Sequence, residues 1–114
     1  MKLVNSSKLI VNKSKFFGYL FSLDSLKEVE EIVGFVRAEE KKFCHVCYGV
    51  SFEGEEIFKN DGEVGQPGKI LLGVLKQKNF EKHCLIVGRI FGGVKLGPAK
   101  VGKAFREVGE KLFI

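Results

Sequence analysis

The order of hydrophobic periodicities along the chain restricts its possible folds more than any other sequence feature. Period-two alternation or a short continuous apolar run predicts a strand, whereas an apolar stripe with a period of about 3.6 residues predicts a helix. Along this sequence the patterns follow one another as strands, helix, strands, helix, strand and helix. This order predicts an α+β fold, with a mixed sheet that carries its helices on one face as a two-layer structure.

Five segments predict the strands. Residues 15–23 (KFFGYLFSL) are apolar on both faces of a period-two pattern and predict an inner strand, with residues 9–11 as its neighbour. Residues 43–52 alternate between an apolar side and a more polar side, which predicts that one sheet face is open to solvent. Residues 56–59 predict a short strand, and residues 83–91 (HCLIVGRIF) predict a buried one.

Three amphipathic segments predict the helices. Ser25 and Glu28 have the spacing of a capping box at the start of a helix over residues 25–40. A turn-rich segment, residues 60–68, precedes the second apolar stripe and predicts a structured loop. Pro98 suits the first turn of the last helix. The later two stripes consist of Ile70, Leu71, Val74 and Leu75, and of Val101, Phe105, Val108 and Leu112.

Length and composition limit the class of protein. A chain of 114 residues predicts one domain, residues 1–114, and 45% hydrophobic with 29% charged residues are values typical of a globular fold. No segment approaches the roughly 20 apolar residues of a membrane span, and the first residues lack a signal-peptide core, so we expect a soluble, cytoplasmic protein with no membrane partner. The net charge of +5 favours anionic partners, and the oligomeric state is left open.

The three cysteines, Cys44, Cys47 and Cys84, raise the question of a metal site. Thiolates together with His45 and His83 are the ligand types that zinc prefers. On a strand, however, Cys44 and Cys47 point to opposite faces, whereas CxxC metal sites normally lie on a tight turn. We therefore interpret the cysteines as structural and predict no metal and no cofactor. A Cys47–His45 catalytic pair would lack a third, orienting group.

The segment from Gly97 to Ala104 has the G-x-x-x-x-G-K spacing of a phosphate-binding loop. Ala104 lacks the hydroxyl that holds magnesium in such loops, and Pro98 lacks a backbone amide. The apolar stripe of a helix also continues through the segment. The sequence therefore argues against a nucleoside triphosphatase.

A weaker form of anion binding stays open at the same place. The glycine-rich run from Gly92 to Gly97 leads into a predicted helix N-terminus, where free amides and the helix dipole favour an anion. The residues that could form this site, including lysines that add positive charge, are Arg89, Gly92, Gly93, Lys95, Gly97, Lys100 and Lys103. The alternative is that the glycines form a turn and the lysines solvate the helix.

Arg89 interrupts an otherwise apolar strand. A cation at such a position pairs with a buried carboxylate or reaches a ligand, because an unpaired buried charge is costly. Asp61 and Glu63, in the turn-rich loop, are the candidate partners. If these three residues formed a pocket, it would suit an enzyme that acts on a small phosphorylated ligand.

Four motifs together resemble the Impact N-terminal domain family over residues 8–108. They are Lys13-Ser14-Lys15-Phe16, His45-Val46-Cys47-Tyr48, Asp61-Gly62-Glu63, and the run from Arg89 to Gly97. The resemblance implies a ribosomal protein S5 domain 2-like fold. It also implies a role in translation, since eukaryotic relatives compete for the activator of a starvation-sensing translation kinase. The roles of His45, Asp61 and Glu63 in the motifs are left unassigned.

These observations lead to one functional hypothesis and one alternative. The hypothesis is a non-enzymatic, translation-associated module that contacts RNA, the ribosome or a regulatory protein through the basic glycine-rich turn and an open sheet face. No catalytic residue is assigned under this hypothesis. The alternative is the enzyme with an Asp61, Glu63 and Arg89 pocket.

Overall fold

A five-stranded sheet organises the fold in a computed structural model that describes residues 1–113. Three α-helices pack against this sheet, and a short 3-10 turn follows the last helix. The elements are β1 Lys2–Val11, β2 Ser14–Ser22, α1 Glu28–Glu39, β3 His45–Phe52, β4 Glu55–Lys59, α2 Pro67–Gln77, β5 His83–Ile90, α3 Gly97–Glu110 and the turn Lys111–Phe113.

The strand order is β1-β2-β5-β3-β4, and every neighbouring pair is antiparallel. The predicted α+β class is confirmed, but the sheet is antiparallel throughout instead of mixed. The reason is that β5, the last strand in the chain, lies between β2 and β3 and runs opposite to both. The connection through α1 therefore joins two parallel strands that are not neighbours.

The helices cover both faces of the sheet, which corrects the expected placement on one face. The helices α2 and α3 pack on the face that carries Phe16, Leu20 and Leu85. Helix α1 packs on the opposite face, which carries Tyr48 and Ile86. The central strands are apolar on both sides, so burying them requires a helix layer on each side.

The sheet face that the sequence predicts to be open to solvent is covered by α2. Cys47, on the more polar side of β3, is fully buried. A Cβ atom on Gly49 would lie 2.3 Å from the backbone nitrogen of Leu72 in α2. Small residues on this side of the strand therefore mark a close approach of a helix backbone and not exposure to solvent.

The first strand is longer than the sequence predicts, because β1 pairs with β2 along nearly its whole length although its residues are mostly exposed. Its polar residues also bind the last helix and the turn that follows it: the Ser7 hydroxyl donates to the carbonyl of Val108 at 2.8 Å. The Asn5 side chain likewise donates to the carbonyl of Leu112 at 3.1 Å. Tertiary contacts thus stabilise a strand that lacks an apolar pattern.

The first helix begins three residues later than predicted, at Glu28, but the capping contacts form. The Glu28 carboxylate accepts the backbone N–H of Ser25 at 3.1 Å, and the Ser25 hydroxyl accepts the N–H of Lys27 at 3.2 Å. The helices α2 and α3 agree closely with their apolar stripes. Within residues 1–113, no helix combines the length and the apolar character needed to cross a lipid bilayer.

Candidate functional site

The charged residues singled out in the sequence meet at one end of the sheet. His45, the first residue of β3, lies opposite Arg89 near the end of β5. The loop between β4 and α2 folds over this end, because the turn at Asp61 and Gly62 adopts left-handed backbone angles, with φ of 53° and 74°. Glu63 follows that turn, so the loop brings its side chain to the strand ends.

Arg89 and Glu63 form a buried ion pair. One guanidinium nitrogen of Arg89 lies 2.9 Å from a Glu63 carboxylate oxygen, and the two side chains are only 7% and 4% exposed. The guanidinium carbon lies 5.5 Å from the centre of the Phe16 ring and 5.9 Å from that of Phe91, distances typical of cation–π contacts. The Nε atom of Arg89 is buried and has no partner among the described residues.

His45 and Asp61 extend this network toward solvent. The Asp61 carboxylate accepts the backbone N–H of Val46 at 2.7 Å and pairs with Arg37 of α1 at 2.9 Å. His45 Nδ1 lies 2.8 Å from the Asp61 carbonyl, so Nδ1 carries the proton, because a carbonyl only accepts. His45 Nε2 lies 3.8 Å from the Glu63 carboxylate, and the His45 side chain is 27% exposed.

Two members of the network, Ser14 and Arg37, were not predicted to interact with it. The hydroxyl of Ser14, which is fully buried, accepts hydrogen bonds from Arg89 at 3.3 Å and from the backbone N–H of Gly92 at 3.2 Å. Ser14 was visible in the sequence only as part of a motif at the start of a strand. Arg37 carries no local signal at all, since it lies on the exposed side of an ordinary amphipathic helix.

The glycine-rich turn is anchored at one end and exposed at the other. A Cβ atom on Gly92 would lie 2.2 Å from the carbonyl carbon of Lys13, so only glycine fits there. Beyond it, Gly93 and Gly97 adopt φ of 90° and 79°. The lysines that follow are exposed and form no ion pair among the described residues: Lys95, Lys100 and Lys103.

Helix α3 contains the segment with phosphate-loop spacing, Gly97 to Ala104, and only its first residue has left-handed backbone angles. Val101 and Ala104 are buried against the sheet. The segment thus forms the first half of α3 and not a loop that wraps a phosphate.

The sheet separates the two buried cysteines, whereas Cys44, predicted to lie on the strand with Cys47, precedes the first residue of β3. Cys47 lies in the core beneath α2, whereas Cys84 lies in the core beneath α1. Cys44 is exposed, and its thiol donates to the carbonyl of Arg89. Burial, followed by the nearby carboxylates of Asp61 and Glu63, holds the pKa of Cys47 far above its usual value, so this thiol is not a ready nucleophile.

The geometry separates the predicted residues into two groups. Arg89, Glu63, Asp61 and His45 converge and bind one another, so their charges are largely satisfied inside the protein. The lysines of the turn and of α3 lie on the surface, where their charges are available to a partner. The first group holds two segments in place, the loop after β4 and the glycine-rich turn. The second group offers positive charge to an anionic partner.

Comparisons with known proteins identify the family of this chain. The model of the Impact N-terminal domain family matches residues 12–113. The IMPACT family member YvyE of Bacillus subtilis (strain 168) is 30% identical over 117 residues, which cover 98% of this chain and 54% of YvyE. The IMPACT family member YigZ of Escherichia coli (strain K12) is 30% identical over 101 residues, covering 83% of this chain and 50% of YigZ. The chain thus spans about half the length of these curated relatives.

Two solved structures share the fold. The crystal structure of a hypothetical protein superposes with a TM-score of 0.85 at 24% identity, covering 98% of this chain and 58% of its own. The two-domain translational regulator Yih1 superposes with a TM-score of 0.55 at 17% identity, covering 97% of this chain and 45% of its own. Because the family match extends from the end of β1 to the last described residue, this chain belongs to the Impact N-terminal domain family.

Proposed function

We propose that this domain is a non-catalytic binding module that acts in the regulation of translation. Its partner is RNA or the ribosome, and its contact surface is the basic turn that leads into α3. The observation that carries the proposal is the exposure of Lys95, Lys100 and Lys103 without ion-pair partners among residues 1–113, beside a turn that Ser14 and Arg89 hold in place.

The family relationship supports the link to translation. Yih1, which shares the fold, is described as a two-domain translational regulator. A surface that carries several unpaired cations attracts polyanions, and RNA is the most abundant polyanion of the translation machinery. A rigid turn also favours binding, because less conformational freedom is lost when the complex forms.

The contact surface excludes the central sheet faces, which lie beneath helices. The geometry of the charged network argues against the alternative of an enzyme with an Asp61, Glu63 and Arg89 pocket. Glu63 and Arg89 are almost fully buried and neutralise each other, so neither presents a free charge to a substrate phosphate. Asp61 is engaged by Arg37 and by a backbone N–H. The convergence of these residues is therefore better explained by a structural role.

The experiment is co-sedimentation of the purified domain with ribosomes over a series of salt concentrations. We expect binding that weakens steeply as salt rises, because phosphate contacts release counterions. The triple variant Lys95→Gln, Lys100→Gln and Lys103→Gln should lose most of the binding at moderate salt. A matched control removes the same charge from exposed lysines elsewhere: Lys27→Gln, Lys41→Gln and Lys42→Gln.

Equal loss in the two triple variants would contradict the assignment of the surface, because net charge alone would then explain binding. Absence of co-sedimentation at low salt would contradict the proposal itself. A pull-down from nuclease-treated lysate separates RNA from a regulatory protein as the partner. A partner that the nuclease treatment releases supports RNA contact, whereas one that stays bound favours protein contact.

A further inference from the structure

A groove between α2 and α3 carries two cations, Lys69 and Arg106, that neither the family motifs nor the glycine-rich turn accounts for. One cavity of about 560 Å³ is lined by Lys69, Ile70 and Arg106, together with Gly65 and Gly73. A second cavity, of about 330 Å³, adjoins it and adds Lys103 to the lining. The two cavities share Gly65, Ile70 and Arg106, so they form one continuous groove along the helix pair.

The charge of this groove has one sign. Lys69, Lys103 and Arg106 are exposed, and none forms an ion pair with another described residue. Among residues 1–113, no carboxylate lines either cavity. Glu107 lines a third cavity together with Val11 and Lys100, and Lys103 borders both that cavity and the groove. Three cations brought together without counter-charge repel one another, and an anion in the groove relieves that repulsion.

Small residues give the groove its depth. A Cβ atom on Gly65 would lie 2.6 Å from the carbonyl oxygen of Pro98, so glycine lets the loop before α2 touch the start of α3. Gly102 would bring its Cβ within 3.1 Å of Ile70, which keeps the two helices close. Gly73 leaves one wall of the groove free, because nothing lies within 4 Å of its Cβ position.

We propose that this groove binds the phosphodiester backbone of a polynucleotide. Two features of the lining favour the backbone over the bases. Cations from both helices line the groove and can neutralise several phosphates, and its lining, as far as the structure describes it, has no aromatic side chain on which a base could stack. Recognition of this kind depends little on sequence. The inference rests on the proposed function and deepens it, since RNA is the source of phosphodiester that a translation module meets.

The first test places a negative charge in the groove. Gly73→Glu adds a carboxylate to the free wall, and Gly73→Gln adds a neutral side chain of the same shape. Both substitutions replace an exposed helical glycine, so both favour folding. Fluorescence anisotropy with a short labelled single-stranded RNA of mixed sequence measures binding. We expect Gly73→Glu to bind on the order of tenfold more weakly than Gly73→Gln. Equal affinity of the two variants would overturn the proposal.

The second test removes charge from the groove. A plot of log affinity against log salt has a negative slope. The double variant Lys69→Gln and Arg106→Gln should make that slope less steep by about 0.7 for each phosphate that the groove no longer neutralises. The control Lys41→Gln and Lys42→Gln removes the same charge outside the groove and should leave the slope nearly unchanged. A slope that changes equally in both double variants would overturn the groove as the site. Circular dichroism of each variant confirms that the fold is retained.

Competition identifies the source of the phosphate. Inorganic phosphate should displace the labelled RNA only weakly, because a single phosphate meets only part of the groove. Inorganic phosphate and unlabelled RNA are compared at equal phosphate concentration. If both displace the labelled RNA equally well, the groove is a simple anion site and the polynucleotide assignment is overturned. Single-stranded DNA that competes as well as RNA supports the proposal, since the two share the phosphodiester. If the domain binds single-stranded DNA but not RNA, RNA is overturned as the source of the phosphodiester.

These outcomes separate the groove from the proposed function. Ribosome co-sedimentation that depends on Lys95 and Lys100 but not on Lys69 and Arg106 would overturn the groove and leave the translation module intact. RNA binding that depends on the groove, without co-sedimentation with ribosomes, would support the groove and contradict the proposed function.

Discussion

The guanidinium of Arg89 donates to the carboxylate of Glu63 at 2.9 Å, although the two residues are 26 positions apart in the sequence. Through this ion pair the loop after β4 is joined to the end of β5. Arg89 and Gly92 also bind the hydroxyl of Ser14, so the same cluster holds the glycine-rich turn. The network therefore supports the surface that we propose as the binding site.

We expect a single substitution in this ion pair to destabilise the domain strongly. Glu63→Leu leaves the Arg89 guanidinium buried and uncompensated, which typically costs about 3–5 kcal/mol in the free energy of unfolding. Urea unfolding followed by circular dichroism measures this cost.

The double variant Glu63→Leu and Arg89→Met should recover a large part of that loss, because a buried ion pair can be replaced by apolar side chains at little net cost. Each single substitution and the double variant together form a double-mutant cycle. Additive effects would contradict a direct interaction between the two residues.

The close approach of Gly92 to β2 predicts a steric effect. Gly92→Ala places a methyl group 2.2 Å from the carbonyl carbon of Lys13, which is backbone and cannot rotate away. We expect a loss of about 1–3 kcal/mol in the free energy of unfolding, as for overpacked sites. A thermal or urea unfolding curve that matches the unmodified domain would contradict this contact.

At an exposed helical glycine, we expect substitution by alanine to stabilise the domain. Gly34, inside α1, has nothing within 4 Å of its Cβ position. Gly34→Ala should stabilise the domain by about 0.5–1 kcal/mol, because alanine has the higher helix propensity and restricts the unfolded chain.

Gly62→Ala is the matched control for this substitution. Gly62 has equal space around its Cβ position but a φ of 74°. Left-handed backbone costs an alanine about 1 kcal/mol, so this variant should be less stable than the unmodified domain. Stabilisation by both substitutions would show that backbone angle has no influence at Gly62.

The buried thiol of Cys84 predicts how stability changes at alkaline pH. Burial raises the pKa of Cys84 to about 12 from an ordinary value of 9.0. A folded-state pKa above the unfolded one gives stability that is complete below about pH 9 and is lost as the pH rises toward 12. Each such proton contributes a slope of about 1.4 kcal/mol per pH unit.

Urea unfolding at several pH values above 9 measures how steeply the free energy of unfolding falls with pH. The variant Cys84→Ala should show a shallower loss, by about one proton, whatever its stability at neutral pH. An unchanged slope would contradict the assignment to Cys84. In the folded domain, a thiol reagent at neutral pH should label the exposed Cys44 rapidly and the buried Cys47 and Cys84 only on unfolding.

Local patterning identified most of the elements. The apolar run of β5 ends within one residue of its predicted bounds, and the stripes predicted for α2 and α3 lie largely within those helices, because helix and strand periods are properties of contiguous residues. The strand β1 was mostly missed, since its stability comes from pairing with β2 and from contacts with α3. Such contacts leave no local pattern in the polar residues that make them.

The choice of partners depended on the tertiary structure. The sequence indicated that Arg89 needs a carboxylate and offered Asp61 and Glu63. The fold assigns Glu63 to Arg89 and gives Asp61 to Arg37, a residue with no signal of its own. The residues of each pair are far apart in the sequence, so only the packing of the loop over the sheet end decides which carboxylate reaches which cation.

By itself, the sequence determined the family, the α+β class, and the demand that a charge inside an apolar strand be satisfied, because these follow from motifs, periodicity and the cost of burying a charge. Only the tertiary structure decided that helices cover both sheet faces and that cations of α2 and α3 share a groove. A period-two pattern distinguishes the two sides of a strand, but a small residue such as Gly49 fits equally a solvent-exposed side and one under a helix backbone. The distance between the helix and the sheet resolves that ambiguity.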